Sequence, residues 1–141
     1  MNTSDIIIIG AGPGGYETAV EAVRMGLSVT LIERGSLGGT CLNRGCIPTK
    51  CLCRSAEVAR TVAGASAYGV DVSGVSFDYA AAVARMRSVV STLREGIATL
   101  LKGVNLVQGT ARFISSSEVE VEDDGKVIGR YTAPRIIIAT G

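Results

Sequence analysis

A glycine run between an apolar stretch and a helical stretch constrains the fold of this chain more than any other feature. DIIIIG (5–10) is short, continuously apolar and rich in β-branched residues, which predicts a strand buried on both faces. GAGPGG (10–15) leads into a predicted helix over 13–25 that Gly26 ends, and LSVTLIE (27–33) predicts a second strand. Strand, helix and strand in this order form a parallel βαβ unit with a right-handed crossover, so we predict an α/β protein.

Three glycines of this run have separate steric roles. Gly10 permits a tight turn, Gly12 lets a pyrophosphate approach the backbone, and Gly15 lets the helix pack closely on the sheet. The helix N-terminus offers N–H groups and partial positive charge to a diphosphate. Glu33 follows Gly15 by eighteen residues, where a carboxylate can accept hydrogen bonds from an adenosine ribose. The alternative is an ordinary glycine turn beside a surface glutamate. The run predicts a dinucleotide site and does not by itself distinguish NAD from FAD.

The composition narrows the class of protein. The chain has 141 residues, 47% of them apolar and 19% charged, with a net charge of +1, which is typical of one globular domain. Lys and Arg are scattered and aromatic residues are few, so we expect no nucleic-acid partner. No apolar run approaches the length of a membrane span, and the N-terminus lacks signal-peptide features. We therefore expect a cytoplasmic protein with no membrane partner.

The middle of the chain predicts a pair of helices. Residues 51–63 have a helical pattern, 64–76 predict a loop, and a long helix begins near Asp78, a suitable N-cap. The apolar residues of the long helix recur at alternating spacings of four and three, which we interpret as a stripe packed on the 51–63 helix; a short coiled-coil seam is the alternative. The stripe consists of Tyr79, Val83, Met86, Val90, Leu93, Ile97 and Leu100.

The last third of the chain predicts strands. From Val104 the pattern changes to period two, and EVEVE (118–122) alternates cleanly. Asp124-Gly125 predicts a hairpin turn into KVIGRYT, which indicates a small antiparallel β-meander. PRIIIATG (134–141) predicts another buried strand.

GGTCLNRGCIPTK (38–50) places Cys41 and Cys46 close together in a chain with four cysteines and no histidine. The cysteine spacings match no common zinc pattern, so we expect no metal site. Buried, inert thiols are the interpretation that we favour for Cys51 and Cys53, within the following helix. For the first two cysteines we favour a redox pair, because a disulfide in the cytoplasm is usually catalytic or redox-sensing.

A redox pair at this spacing requires an irregular backbone. In an ideal helix, residues five apart rise about 7.5 Å and point about 140° apart, so a disulfide could not close. Gly45 and Pro48 favour an irregular helix start where it can close, and a thiol at a helix N-terminus has its pKa lowered. Lys50 lies one turn after Cys46 on the same helix face. Flavin exchanges electron pairs with sulfur and nicotinamide normally does not, so the pair favours FAD at the glycine run.

GGTCLNRGCIPTK, with GAGPGG before it and IIIATG after it, resembles the N-terminal FAD-binding region of the pyridine nucleotide–disulfide oxidoreductases. Within that family the chain is most similar to the dihydrolipoamide dehydrogenase branch, whose motif reads C-L-N-x-G-C-I-P-[ST]-K. Glutathione and mercuric reductases usually carry valine at the positions of Leu42 and Ile47. Arg44 departs from the pattern, since many members have valine there. The resemblance implies a Rossmann-like FAD-binding domain over 1–141, with a parallel sheet, a helical pair and a small antiparallel β-meander.

The resemblance also implies a role for each matching residue. Cys41 would be the thiol that exchanges with a dithiol substrate, Cys46 the thiolate beside the flavin, and Lys50 a neighbour of flavin N5, all three in contact with FAD. Glu33 would bind the adenosine ribose. The other residues of the FAD site would be Gly10, Gly12, Pro13, Gly14, Gly15, Arg34, Gly38, Gly39, Thr40, Ala111, Ala139, Thr140 and Gly141.

In the reaction that the resemblance implies, a small dithiol or a lipoyl domain reduces the disulfide, the electrons pass to FAD, and NAD collects them as hydride. Family members are homodimers of about three times this length, with NAD-binding and interface domains that 1–141 does not contain. The interface domain supplies a His–Glu base. We therefore expect a piece of such an enzyme, inactive alone. The alternatives are a standalone FAD- or nucleotide-binding thiol redox module without turnover, and a reductase of the glutathione or mercuric type.

Overall fold

A computed structural model describes residues 2–141, so Met1 of the predicted 1–141 domain lies outside the described residues. The described chain forms two four-stranded sheets and four α-helices. In chain order the elements are β1 (Asn2–Thr3), β2 (Ile6–Ile9), α1 (Pro13–Arg24), β3 (Val29–Glu33), α2 (Gly39–Arg44), α3 (Cys46–Ala63), α4 (Tyr79–Leu100), β4 (Asn105–Gln108), β5 (Thr110–Phe113), β6 (Glu118–Asp123), β7 (Lys126–Thr132) and β8 (Ile136–Ile138).

The first sheet is parallel throughout, in the order β4-β3-β2-β8. The predicted βαβ unit is confirmed as β2, α1 and β3. Ile7, Ile8 and Leu31 are fully buried at its centre, as expected of strands covered on both faces. The prediction of a buried strand over 134–141 is wrong in part. Only β8 is a strand there, and Ile138 is 65% exposed because β8 pairs with β2 alone and forms the sheet edge.

The predicted helical pair is confirmed, since α4 packs on α3. Asp78 caps α4, and its carboxylate accepts a hydrogen bond from Ala81 N at 3.0 Å. The other helix, α3, begins at Cys46 and therefore earlier than predicted, because a proline in the first turn of a helix, here Pro48, costs no hydrogen bond. Within residues 2–141, every helix is too short or too polar to cross a membrane.

The predicted apolar stripe of α4 is buried only in part. Val90 and Ile97 lie in the core, whereas Tyr79 is 63%, Leu93 42% and Leu100 55% exposed. The stripe prediction is therefore wrong at these three positions. Tyr79 is the first residue of α4. The other two line a groove that is described below.

The second sheet, in the order β1-β7-β6-β5, confirms the predicted β-meander. Asp124 (φ 47°) and Gly125 (φ 72°) are both left-handed, as a two-residue hairpin turn requires. Val119 and Val121 of β6 are fully buried, so the core of this sheet lies on the face of β6 that carries the valines of EVEVE. The sequence did not predict that Asn2–Thr3 pairs in parallel with β7.

Candidate functional site

Two glycine-rich turns, the first after β2 (10–15) and the second after β3 (34–39), meet at the carboxyl ends of these strands. Gly10 has a φ of 102°, and a Cβ there would overlap the carbonyl oxygen of Ala139. Gly39 has a φ of 62°, and its Cβ would lie 2.7 Å from Gly12 Cα. Gly38 N donates to the carbonyl oxygen of Ala11 at 2.8 Å. The two turns are thus in direct backbone contact, which only glycine at these positions permits.

The outer side of the first turn is open. The nearest atom to a Cβ built on Gly12 is Gly39 Cα at 3.7 Å, and a Cβ on Gly14 would meet nothing within 4 Å. Gly15 N and Tyr16 N both donate to Gly12 O. Among residues 2–141, the N–H groups of Gly12 and Gly14 have no hydrogen-bond acceptor. The N-terminus of α1 therefore presents free donors and positive dipole potential to a space that side chains do not fill.

Glu33 joins the two turns. Its Oε2 accepts a hydrogen bond from Ala11 N at 2.7 Å and its Oε1 accepts one from Gly35 N at 2.6 Å. Sequence reasoning missed this bracing role. A carboxylate has about four acceptor positions, so each oxygen of Glu33 retains acceptor capacity for a ribose hydroxyl.

These turns surround a groove of about 600 Å³, called here the polar groove. Twelve of the residues assigned to FAD from the sequence line it: Gly10, Gly12, Pro13, Gly14, Glu33, Arg34, Gly39, Thr40, Cys41, Ala139, Thr140 and Gly141. Five further residues line it that were not assigned: Gly35, Ser36, Asn43, Arg44 and Arg94. Asn43 and Arg44 lie within the quoted cysteine motif, but no local signal connects Arg94 to it.

The other assigned residues lie elsewhere. Gly15 is buried below the first turn, where a Cβ would overlap the Gly10 carbonyl oxygen, so its predicted close-packing role is confirmed. Ala111 lies on β5 and packs against the core of the second sheet, away from the polar groove. Cys46 and Lys50 are exposed at the start of α3, outside the groove lining.

The cysteine segment is split between two helices. Cys41 lies in α2 and Cys46 is the first residue of α3, with Gly45 between the helices at φ −127° and ψ −106°. A Cβ on Gly45 would lie only 3.2 Å from Thr40 O, so glycine permits the close approach of the two helices. The predicted irregular helix start is therefore confirmed, and its cause is backbone proximity.

All four cysteines are free thiols in this structure, so the disulfide stays a prediction. Side-chain hydrogen bonding with Cys46 raises the pKa of the Cys41 thiol, and desolvation raises it further. The expectation of a lowered pKa is thus wrong for Cys41, which keeps its proton to higher pH. Cys51 is buried as expected, but Cys53 is exposed, because residues two apart on a helix point about 200° apart.

A second groove of about 520 Å³, called here the apolar groove, lies on the other side of Cys41. Its lining residues are Pro13, Tyr16, Gly38, Cys41, Leu42, Ile47, Leu93, Gly96, Ile97 and Leu100. This groove explains why part of the α4 stripe is exposed. Cys41 and Pro13 line both grooves, so these two residues lie where the grooves adjoin. Within residues 2–141, no three His, Cys, Asp or Glu side chains are grouped so that they could hold a metal ion.

A family model that matches nearly the whole chain shows to which family the protein belongs. The model of the family described as pyridine nucleotide-disulphide oxidoreductase matches residues 4–141. The chain belongs to this family. The resemblance of the cysteine and glycine motifs to these oxidoreductases is thereby confirmed.

Individual relatives agree with the family assignment. The chain is 42% identical over 139 residues to a dihydrolipoyl dehydrogenase of Chlamydia muridarum and 45% identical over 139 residues to one of Chlorobaculum parvum. Each match covers 97% of this oxidoreductase chain and 30% of the relative, so the chain spans about a third of the length of these curated relatives.

A solved structure supports the fold. The HOCl-induced flavoprotein disulfide reductase RclA of Escherichia coli, determined as a Cu(II) complex, superposes with a TM-score of 0.77 and 30% sequence identity. The superposition covers 100% of this chain and 29% of RclA. The Rossmann-like α/β fold predicted for this member of the family is therefore confirmed.

Proposed function

We propose that the polar groove binds FAD and that Cys41 and Cys46 form the redox-active disulfide of a flavin-dependent, dihydrolipoyl dehydrogenase-like enzyme. The observation that carries this proposal is the position of Cys41, a residue that lines both the polar and the apolar groove. Cys41 can exchange with a dithiol in the apolar groove, while Cys46, which is exposed at the start of α3 and outside the lining of the polar groove, would pass electrons to the cofactor.

The residues of the polar groove fit a dinucleotide. Space and free N–H donors at Gly12 and Gly14 suit a diphosphate, and Glu33 suits the adenosine ribose. Bound FAD would supply a two-electron acceptor for a thiolate. Lys50, one turn after Cys46, would place its positive charge near the flavin ring. The fit rests on backbone geometry, which the glycine positions fix.

The bonds of the exchange step form and break at the two cysteines, once a base has removed a proton from the substrate dithiol. One substrate thiolate attacks the Cys41 sulfur, the Cys41–Cys46 bond breaks, and Cys46 leaves as a thiolate. The second substrate thiolate then attacks the mixed disulfide, closes the substrate disulfide and releases Cys41. One of the two substrate protons ends on Cys41, whose raised pKa favours the protonated thiol, and the other is released.

The activity of the whole enzyme rests on further proposals. We propose that residues 1–141 form the N-terminal part of the FAD-binding domain, and that NAD binding and homodimer formation depend on other domains. The support is that the chain spans about 30% of its dihydrolipoyl dehydrogenase relatives. Their name favours a dihydrolipoyl substrate, either a small dithiol or a lipoyl domain, in the cytoplasm. The apolar groove beside Cys41 suits the carbon chain of such a substrate.

Peptide mapping tests the cysteine assignment. After mild oxidation and without reduction, we expect a peptide pair joined by a Cys41–Cys46 bridge, while Cys51 and Cys53 are alkylated, because Gly45 brings the first two cysteines together. In the matched Cys46→Ser control, Cys41 should be alkylated as well. A dominant bridge that includes Cys51 or Cys53 would contradict the proposed redox pair.

A further inference from the structure

The side chain of Asn43 organises the turn that precedes the redox cysteines. Its Nδ2 donates to Gly39 O at 2.8 Å and to Leu37 O at 3.0 Å, with a longer contact of 3.5 Å to Ser36 O. This turn contains the left-handed Gly39 and leads directly to Cys41 in α2. The amide of Asn43 therefore fixes the backbone from which Cys41 projects.

Arg94 connects this turn to the long helix α4. Its Nε donates to Asn43 Oδ1 at 2.5 Å, across a sequence separation of 51 residues. Both side chains are half-buried. A hydrogen bond from a charged donor in such surroundings is stronger than a neutral one. The amide of Asn43 thus connects the cysteine-bearing turn to α4 by hydrogen bonds, in addition to the packing of Leu42 with Val90 and Ile97 of α4.

Most of the Arg94 guanidinium is free for another partner. A guanidinium has five N–H donors, of which Nε–H is used on Asn43. Among residues 2–141, no carboxylate lies within salt-bridge distance of Arg94. The polar groove that Arg94 lines has one carboxylate side chain, that of Glu33, which accepts hydrogen bonds from backbone N–H groups. A half-buried cation without an acidic partner suits an anionic ligand in this groove.

We infer that Arg94 binds the negatively charged diphosphate of the dinucleotide cofactor and, through Asn43, holds the cysteine-bearing turn beside that cofactor. This inference rests on the proposed FAD site. It adds a residue from a helix far along the chain to a site whose other phosphate contacts come from the glycine run. Cofactor binding and the position of Cys41 would thereby be coupled through Arg94.

The rival interpretation is a structural brace, in which Arg94 only supports Asn43. Two substitutions separate the interpretations. Arg94→Gln removes the positive charge but keeps an N–H donor for Asn43, whereas Arg94→Lys keeps the charge but loses the Nε–H geometry. Arg87→Gln is the matched control, because Arg87 lies exposed on the same helix and outside the polar groove.

The test is FAD affinity of the 141-residue proteins, measured by flavin fluorescence at about 50 mM and about 500 mM sodium chloride. At low salt we expect Arg94→Gln to weaken FAD binding about tenfold or more, because this variant loses the charged hydrogen bond to the diphosphate. Arg94→Lys keeps the positive charge and should weaken FAD binding by no more than about threefold. Arg87→Gln should match the wild type. High salt should reduce the difference between Arg94→Gln and the wild type. The melting temperatures of the FAD-free Arg94→Gln and Arg94→Lys proteins should be nearly equal.

Three outcomes would overturn the inference. One is an Arg94→Gln protein that binds FAD within about twofold of the wild type. Another is a greater loss in Arg94→Lys than in Arg94→Gln, as a brace predicts. A third is a difference in FAD affinity between Arg94→Gln and the wild type that is the same at high salt as at low salt. Failure of the proposed FAD site is distinguishable, because the wild-type protein would then show no FAD binding in the same assay.

Discussion

Replacement of Gly12 by valine is expected to abolish FAD binding while leaving the protein folded. Gly12 has a φ of −72°, which valine adopts without strain, and the nearest atom to its Cβ would be Gly39 Cα at 3.7 Å. The added side chain would therefore occupy the space that a diphosphate requires. Loss of close contact with the free N–H groups should weaken FAD binding at least about a hundredfold, since each lost hydrogen bond to a charged group contributes about 1.5–3 kcal/mol.

Fluorescence titration with FAD, together with circular dichroism of the FAD-free protein, measures both parts of this expectation. Gly96→Ala is the control, because Gly96 lies on α4 outside the polar groove and a Cβ there meets nothing within 4 Å. It should bind FAD normally and gain up to about 1 kcal/mol in stability from better helix propensity. A folded Gly12→Val protein with wild-type FAD affinity would disprove the glycine-run argument.

The 141-residue protein is expected to show no NAD-linked oxidation of dihydrolipoamide, even when loaded with FAD. Proton removal from the dithiol needs a base within hydrogen-bond reach, and the sequence contains no histidine. It also contains only one glycine run with a dinucleotide-binding pattern, which the proposal assigns to FAD. The expected effect is the loss of the entire steady-state activity.

A steady-state assay of FAD-loaded protein with dihydrolipoamide and NAD decides this prediction. Omission of the protein gives the baseline, and a full-length dihydrolipoyl dehydrogenase gives the positive control. Turnover at about 1–1000 per second, typical of enzymes, would show that these 141 residues suffice for the reaction.

The elements that the sequence predicted correctly carry strong local signals. The apolar run of β2, the capping residue Asp78 and the Asp124-Gly125 turn each specify their structure within a few residues. The glycine spacing and the cysteine motif predicted most of the polar groove for the same reason, since both turns are continuous in sequence. Local sequence signals were therefore sufficient to predict the βαβ unit and most of the residues that line the polar groove.

Features that depend on tertiary contacts could not be predicted in this way. The exposure of Ile138 follows from the place of β8 at a sheet edge, which its apolar pattern does not reveal. Arg94 lines the polar groove and donates a hydrogen bond to Asn43 across 51 residues, and no local pattern in the sequence assigned it to the site. Glu33 was assigned to a ligand, but its bonds to Ala11 N and Gly35 N depend on the folding of both turns.

The central claim is that Cys41 and Cys46 form a redox pair that exchanges electrons with a flavin in the polar groove. Anaerobic reductive titration of the oxidised, FAD-loaded protein tests it most directly, because flavin and disulfide each accept two electrons. We predict that full reduction consumes about four electrons per flavin in the wild type and about two in Cys46→Ser, which cannot form the disulfide. Two electrons per flavin in both proteins, with FAD bound to each, would contradict the claim.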